Sequence, residues 1–364
     1  MSAIQKIFRR YGKQYLELYG DRMPPLHKKA MKDICDCRSG SFGTLVYVCD
    51  DCTTRQYVPC CCGNRHRPTC QQYTSEEWLQ KQMEKLLPTH YFLLTVTLPE
   101  GLRDAARSHQ RIVYRAMFSC AYKALKKLAN DKRFVGSSRI GYLAVLHTWG
   151  SMLQYHPHIH LVIPGGAVSE EGDQWFSSRQ DLFVHTRPFA TIFQAKFRDA
   201  MKKAKLFRNI NPDIWKQEWV VDSRYAGKGQ NSLRYLARYV FRVAISNNRI
   251  KSIGDDAITF TYKDRERKTW KTMELEPMEF IRRFLQHILP QGFMKIRHYG
   301  FLNPNSALSI EKLRELISLI HAVITDSIAH LPEIKKHTIA CPCCGNPLRC
   351  IAFLWPASRW GPSG

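Results

Sequence analysis

The 364-residue chain has no uninterrupted apolar run of about 18 residues, which excludes a transmembrane helix. Its start, Met1-Ser2-Ala3-Ile4-Gln5-Lys6 and onward, carries basic residues but no apolar stretch, and so does not read as a secretory signal. Neither an internal repeat nor a long low-complexity segment occurs, which excludes a repeat array. Acidic residues are scarce: 31 Asp and Glu face 55 Lys and Arg, leaving a net charge of +24. Such an excess asks for a polyanionic partner, with nucleic acid the usual one and an acidic membrane the rival. What remains is a globular composition, 44% hydrophobic and 12% aromatic, long enough for two or three domains. The expected compartment is the cytosol, where clustered cysteine signifies metal ligation rather than a disulfide framework.

The middle of the chain has almost no cysteine. Of the 13, eight fall between Cys35 and Cys70, four between Cys341 and Cys350, and Cys120 alone lies between. This distribution predicts small metal-stabilised modules flanking a Cys-poor core. That core opens with a β-rich run, His90 to Leu98, stopped by Pro99. A helix is expected from Arg103 to Leu128, with Ile112, Ala116 and Cys120 at helical spacing. Two strand-like runs, Ile140–Trp149 and Pro157–Ile163, form a hairpin joined by Gly150 to His156 and closed by Gly165-Gly166. Further helices are expected at Pro188–Leu206, Ser232–Asn247 and Pro277–Leu289, and a second hairpin from Ile258–Tyr262 and Lys268–Leu275. Strand, helix, strand, strand, helix is the order of an α+β domain on an antiparallel sheet.

Cys49-Asp50-Asp51-Cys52 is a C-x-x-C knuckle, which supplies two of the four ligands of a tetrahedral zinc site. Eight residues after Cys52 come Cys60-Cys61-Cys62-Gly63-Asn64-Arg65-His66 and then Cys70. Arg67 stands where a second C-x-x-C would need cysteine. His66 and Cys70 are therefore the preferred remaining ligands, with Cys62 close behind and Cys37 a further option. Cys341-Pro342-Cys343-Cys344-Gly345, with Cys350, resembles half a zinc ribbon whose other half is not evident.

Three histidines sit at alternate positions of Tyr155-His156-Pro157-His158-Ile159-His160-Leu161-Val162-Ile163. On a strand His156, His158 and His160 share one face while Ile159 and Leu161 enter the core. Two imidazoles at i and i+2 can chelate one divalent ion with positions left for substrate oxygen. His147, across the hairpin, either completes that site or orients a ligand. Downstream, Asn231 to Arg242 reads as a helix. Tyr235 and Tyr239, four apart, share one face, and Arg238 and Arg242 share another, from which they could hold phosphates. Lys228 adds a cation just before it. A phenol attacks a phosphodiester competently where a metal polarises the phosphate.

These motifs together resemble a known family. His158-Ile159-His160 is similar to the histidine–hydrophobe–histidine (HUH) signature, and Tyr235-Leu236-Ala237-Arg238-Tyr239 to the two-tyrosine helix of rolling-circle transposases. Asn64-Arg65-His66, the Leu-His-Thr-Trp-Gly of Leu146–Gly150 and the Ala-Ile-Ser-Asn of Ala244–Asn247 resemble further motifs of the bacterial insertion sequence ninety-one family, in the family's order. The resemblance covers roughly residues 20 to 300, and Arg67 departs from the family's usual Cys.

The resemblance implies an HUH-endonuclease core, an antiparallel sheet flanked by helices (ferredoxin/RRM-like), behind an amino-terminal zinc-binding module. It implies nicking and rejoining of single-stranded DNA at transposon ends and target through a 5′-phosphotyrosine. Tyr239 and Tyr235 would alternate as nucleophiles, His158 and His160 would bind Mg2+ or Mn2+, and Zn2+ would be structural. The implied compartment is the bacterial cytoplasm, at the nucleoid. The expected boundaries are a zinc- and DNA-binding module at 1–88, a catalytic domain at 89–302 and a helical, Cys-rich tail at 303–364. Two rivals remain: a replication initiator or relaxase with the same chemistry, and a histidine-triad nucleotide hydrolase, whose alternating histidines His156 to His160 also fit. Against the hydrolase stand the net charge, the knuckle and the two tyrosines, to which it gives no role.

Overall fold

A computed structural model describes all residues except 67–69, 241–243, 265, 266, 268, 322–337 and 357–364, and inside helices it omits the side chains of 72, 238, 239 and 321. In chain order the elements begin with α1 (Ala3–Tyr19), α2 (Pro25–Asp36), β1 (Thr44–Val48), β2 (Arg55–Pro59) and α3 (Gln72–Met83). Then come β3 (Tyr91–Thr97), α4 (Arg103–Ser108), α5 (Gln110–Ala129), β4 (Gly141–Trp149), β5 (Tyr155–Pro164), β6 (Gly166–Val168) and β7 (Trp175–Ser177). Next are α6 (Thr186–Lys203), β8 (Val221–Tyr225), α7 (Gln230–Val240), β9 (Ile250–Ile253), β10 (Ile258–Lys263), β11 (Trp270–Leu275) and α8 (Pro277–Leu285). β12 (Ile296–Gly300), α9 (Ile310–His321) and β13 (Arg349–Leu354) end the described order. Among the described residues no helix is long and apolar enough to cross a membrane.

The chain folds into two units. One comprises Met1–Thr74, Phe241–Ile288 and Pro332–Gly364, and the other Ser75–Val240 and Leu289–Leu331. The first holds two three-stranded antiparallel sheets, β13-β1-β2 and β11-β10-β9. Here α1 starts at Ser2, whose hydroxyl accepts the Gln5 N–H at 3.3 Å and so satisfies one of the otherwise unpaired donors of a helix start. The inner face of α1 meets α8, with the Phe8 and Phe284 rings edge-on at 5.2 Å.

The second unit is built on a five-stranded antiparallel sheet in the order β12-β4-β5-β3-β8. Period-2 alternation divides its two faces. Phe92, Leu94 and Val96 of β3, Tyr142, Ala144 and Leu146 of β4, and Ile159, Leu161 and Ile163 of β5 all join one buried cluster. The buried sides of α5 and α6 cover that cluster, and the Phe189, Phe193 and Phe197 rings of α6 lie one turn apart along it. The α+β class expected from the order of elements is the class observed, with helices flanking antiparallel sheets.

Local departures have local causes. The single helix expected from Arg103 to Leu128 is two, because His109 leaves helical geometry (φ −126°, ψ 44°) between α4 and α5. The break shifts the buried stripe of α5 to Val113, Ala116, Met117 and Cys120, and Ile112 is exposed instead. The helix expected over Ser232–Asn247 is described as α7 to Val240, and Asn247 begins a separate 3-10 turn. α8 stops at Leu285 rather than Leu289.

Phe193 is fully buried between Phe189, Phe197 and Trp219. Phe193→Ala is expected to cost roughly 3–5 kcal/mol of stability, read as a lowered urea midpoint, because a cavity of that shape cannot collapse inside interlocked rings.

Candidate active site and metal centres

On the sheet face opposite α5 and α6, β4 and β5 pair so that His147 lies directly across from His158. His160, two residues on, faces Thr95 of β3. The ring centroids of His147 and His160 are 4.6 Å apart, those of His158 and His160 4.9 Å, and those of His147 and His158 5.3 Å. One nitrogen from each ring lies within 4.8 Å of the other two, and all three residues are buried. His156 is half-buried at the end of this row, and its Nδ1 accepts from Arg103 at 3.2 Å.

The rings are held as metal-ligating imidazoles are held, through their second nitrogen. His158 Nδ1 donates to the backbone carbonyl of His156 at 2.7 Å, and His160 Nδ1 pairs with the Thr95 hydroxyl at 2.9 Å. A donated Nδ1–H makes Nε2 the lone-pair nitrogen. Burial, the neighbouring imidazoles of His160 and His158 and then Lys295 hold His147 well below the ordinary histidine pKa, so it is neutral near pH 7. Three buried neutral-capable imidazoles fit a divalent ion of borderline character. The strand alternation pointed to His158 and His160, but Thr95 and Arg103 carry no motif and become visible only when β3 and α4 pack beside β5.

Helix α7 runs beside this face. Gly229, at φ +79°, sets its start, where a Cβ would stand 2.8 Å from the Tyr91 ring. Leu233, Leu236 and Val240 bury its apolar side, and the Ser75 hydroxyl donates to the Ala237 carbonyl at 2.9 Å. Tyr235 points the other way. It is 42% exposed, and its ring centre lies 5.9 Å from that of His160 and perpendicular to it. A phenol that is both solvent-reachable and next to a histidine cluster can approach a phosphate held there. Tyr239 follows one turn later in the helix. The side chains of Tyr239 and Arg238, and Arg242 as a whole, lie outside the described residues. Lys228 is exposed in the turn before α7.

The cysteines form two groups where the sequence predicted one site from Cys49, Cys52, Cys62, His66 and Cys70. Cys37, Cys62 and Cys70 gather their sulfurs within 4.8 Å, with Cys37–Cys70 at 3.5 Å and Cys62–Cys70 at 3.7 Å. The hydrogen bond to Cys62, then burial, raise the Cys70 thiol, the expected behaviour of crowded thiols until a cation neutralises them. His66 is not one of this group. Its ring Nδ1 and backbone N–H both meet Asn64 Oδ1, at 3.0 and 2.9 Å, and the Asn64 amide donates to the buried Asp33 at 2.8 Å. The Asn64-Arg65-His66 motif thus builds a turn. Arg67 lies outside the described residues. Cys49 and Cys52 stand apart from this group, in the company of Cys341 and Cys344.

A thiol-rich amino-terminal segment and a histidine-bearing sheet in one basic chain have counterparts in known proteins. Residues 7–98 match the family described as "Transposase zinc-binding domain", and residues 141–308 match that described as "Putative transposase". The class is therefore a transposase, an enzyme that cuts DNA and transfers its strands, with a zinc-binding amino-terminal domain. The chain belongs to the IS91 family of such transposases. It is 36% identical over 338 residues to "Putative transposase y4qJ" of Sinorhizobium fredii (strain NBRC 101917 / NGR234), covering 87% of this chain and 84% of that one. It is 25% identical over 337 residues to the "Transposase for insertion sequence element IS801" of Pseudomonas savastanoi pv. phaseolicola, covering 86% and 78%. No solved structure matches it.

The Thr95 hydroxyl pairs with His160 Nδ1, so a divalent ion held by His147, His158 and His160 would depend on it, and Thr95→Val should then weaken Mn2+ affinity by roughly 10- to 100-fold. Titration of the full-length protein followed by electron paramagnetic resonance measures this, with an unchanged circular dichroism spectrum as the control for folding.

Proposed function

We propose that this transposase nicks and rejoins single-stranded DNA at the ends of its element by tyrosine transesterification, in a rolling-circle reaction. The observation that carries the reading is the placement of the exposed Tyr235 ring 5.9 Å from the buried cluster of His147, His158 and His160. His158 and His160, with His147 as third ligand, would hold Mg2+ or Mn2+. When bound, that ion supplies Lewis-acid polarisation of the scissile phosphate.

The chain's own groups do the rest. The tyrosine hydroxyl gives up its proton as its oxygen attacks phosphorus. The P–O3′ bond breaks, the departing oxygen takes up a proton as a 3′-OH, and the 5′ phosphate stays on the tyrosine. Because one phosphodiester replaces another, the bond energy is conserved and rejoining needs no ATP. Two tyrosines one helical turn apart allow two such exchanges in sequence, at donor and at target. Tyr239 is assigned the first cleavage and Tyr235 the second, an order that rests on the family resemblance. Arg238, Arg242 and Lys228 are the proposed phosphate contacts. Family membership favours this reading over the nucleotide hydrolase, which leaves α7 without a task.

Incubation with single-stranded oligonucleotides from the element's ends and Mn2+ should give a covalent protein–DNA adduct. His158→Ala, His160→Ala or EDTA should each lower its yield by at least about 10³-fold with the fold intact, since the apolar neighbours Ile159 and Leu161 still anchor β5. Tyr239→Phe should remove the first adduct, and Tyr235→Phe should spare it but block completed strand transfer. Cleavage by the Tyr235→Phe, Tyr239→Phe double variant would overturn the proposal.

Oligonucleotide binding, measured by fluorescence anisotropy, should weaken steeply with salt, log K falling by about 0.7 per decade for each phosphate neutralised. The charge of +24 motivates this expectation, and a flat salt dependence would contradict it.

A further inference from the structure

The half zinc ribbon near the carboxyl end finds its other half almost three hundred residues earlier. Cys49 Sγ lies 3.5 Å from Cys344 Sγ, and Cys52 Sγ 3.4 Å from Cys341 Sγ. All four sulfurs fall within 4.8 Å of one another. Four thiolates around one zinc at bonds of about 2.3 Å have sulfurs about 3.8 Å apart, which is this spacing. A disulfide would need about 2.05 Å, and all four cysteines are unbridged.

The two C-x-x-C turns also repeat one another in backbone geometry. Cys49 N–H donates to Thr54 O at 3.0 Å, and Cys341 N–H donates to Asn346 O at 2.7 Å. Thr53 N–H returns to Cys49 O at 3.0 Å, and Gly345 N–H returns to Cys341 O at 2.9 Å. The residue after each second cysteine is left-handed, Thr53 at φ +58° and Gly345 at φ +77°. Such a conformation costs a β-branched residue like Thr53 more than it costs glycine, so something holds the turn in that form. Two equivalent knuckles whose cysteine pairs face each other are a four-thiolate cage.

We propose that Cys49, Cys52, Cys341 and Cys344 bind one Zn2+ ion, in a site separate from the Cys37–Cys62–Cys70 group, and that this ion fastens the carboxyl-terminal segment to the amino-terminal sheet. The matched zinc-binding domain, residues 7–98, contains only half of these ligands.

The energetics of the segment call for such a fastening. β13 pairs with β1 from Thr44↔Leu354 to Val48↔Arg349, yet all six of its residues are exposed. Among the described residues, the apolar contacts of this segment include Leu348 and Ile339 beside Cys49 and Cys341, and Phe353 lying on Gly43. The Arg349–Asp50 ion pair at 2.7 Å is solvent-exposed on both sides and adds little. A strand with so little buried surface does not offset the entropy of ordering it, whereas metal-bound thiolates do.

The test is zinc content of the full-length protein purified without chelator, by mass spectrometry. Cys341→Ser, Cys344→Ser should lose one zinc per chain relative to wild type, and Cys49→Ser, Cys52→Ser the same one. The quadruple variant should therefore again lose one and not two. Cys343→Ser and Cys350→Ser should lose none. Wild-type zinc content in Cys341→Ser, Cys344→Ser would overturn the proposal, as would additive loss in the quadruple variant. Thiol alkylation of the wild-type protein removes any dependence on whether the variants fold. Cys49, Cys52, Cys341 and Cys344 should resist labelling together until a chelator is added, while the exposed Cys61 and Cys350 label at once. Labelling of Cys341 and Cys344 as fast as Cys350 in the zinc-loaded protein would refute the shared site.

Discussion

The register between β4 and β5 is the constraint on which the histidine face depends. Side chains alternate along a strand, so one pairing sends Leu146, Ile159 and Leu161 into the cluster covered by α5 and α6 and simultaneously sets His147 opposite His158. A slip of one residue would bury imidazoles among phenylalanines and expose leucine, and the core would lose its apolar face. The core thus enforces the geometry of the polar cluster. The large buried rings of α6 belong to the apolar cluster on the opposite side of the sheet.

Rigidity is distributed according to need. The histidines sit on central strands, fixed by Thr95 and by the His156 carbonyl, whereas Tyr235 is carried on a helix with an exposed side. A ligand cluster has to be preorganised, since misplacing one donor loses the ion. In the proposed reaction, a tyrosine serving in successive strand exchanges would have to reach and withdraw. Packing α7 through Leu233, Leu236 and Val240 while leaving Tyr235 exposed would suit that role.

The thiol-rich segments answer a different problem. Their sheets are small and their strands half-exposed, β2 and β13 above all, so hydrophobic burial is too slight to fix them. Thiolate groups concentrate stabilisation in a few atoms. The short chain between Cys37 and Cys70 gathers its own sulfurs locally, with the Asn64 side chain pinning the turn between them to Asp33. Cys49 and Cys52 reach instead for cysteines that follow some 289 residues later.

Much of this was legible in the order of residues. Histidines at alternate positions of an apolar strand, tyrosines four apart in an amphipathic helix, clustered cysteines and a charge of +24 are local or additive properties, and local spacing sets which side chains share a face. They sufficed for the α+β class, for the family and for the residues around which the reaction is proposed. The break at His109 was not legible, because a single residue leaving helical geometry moves the buried stripe without altering the apolar spacing that announces a helix. Nor were Thr95, which enters through β3 pairing with β5, and the grouping of the thiols. Cys49-x-x-Cys52 and Cys341-x-x-Cys344 each announce a pair of ligands, but a knuckle does not encode its partner. Only tertiary structure decided that Cys49 and Cys52 lie with Cys341 and Cys344 while Cys62 and Cys70 turn to Cys37, because β13 pairs with β1 and strand pairing at such separation leaves no periodic trace in sequence.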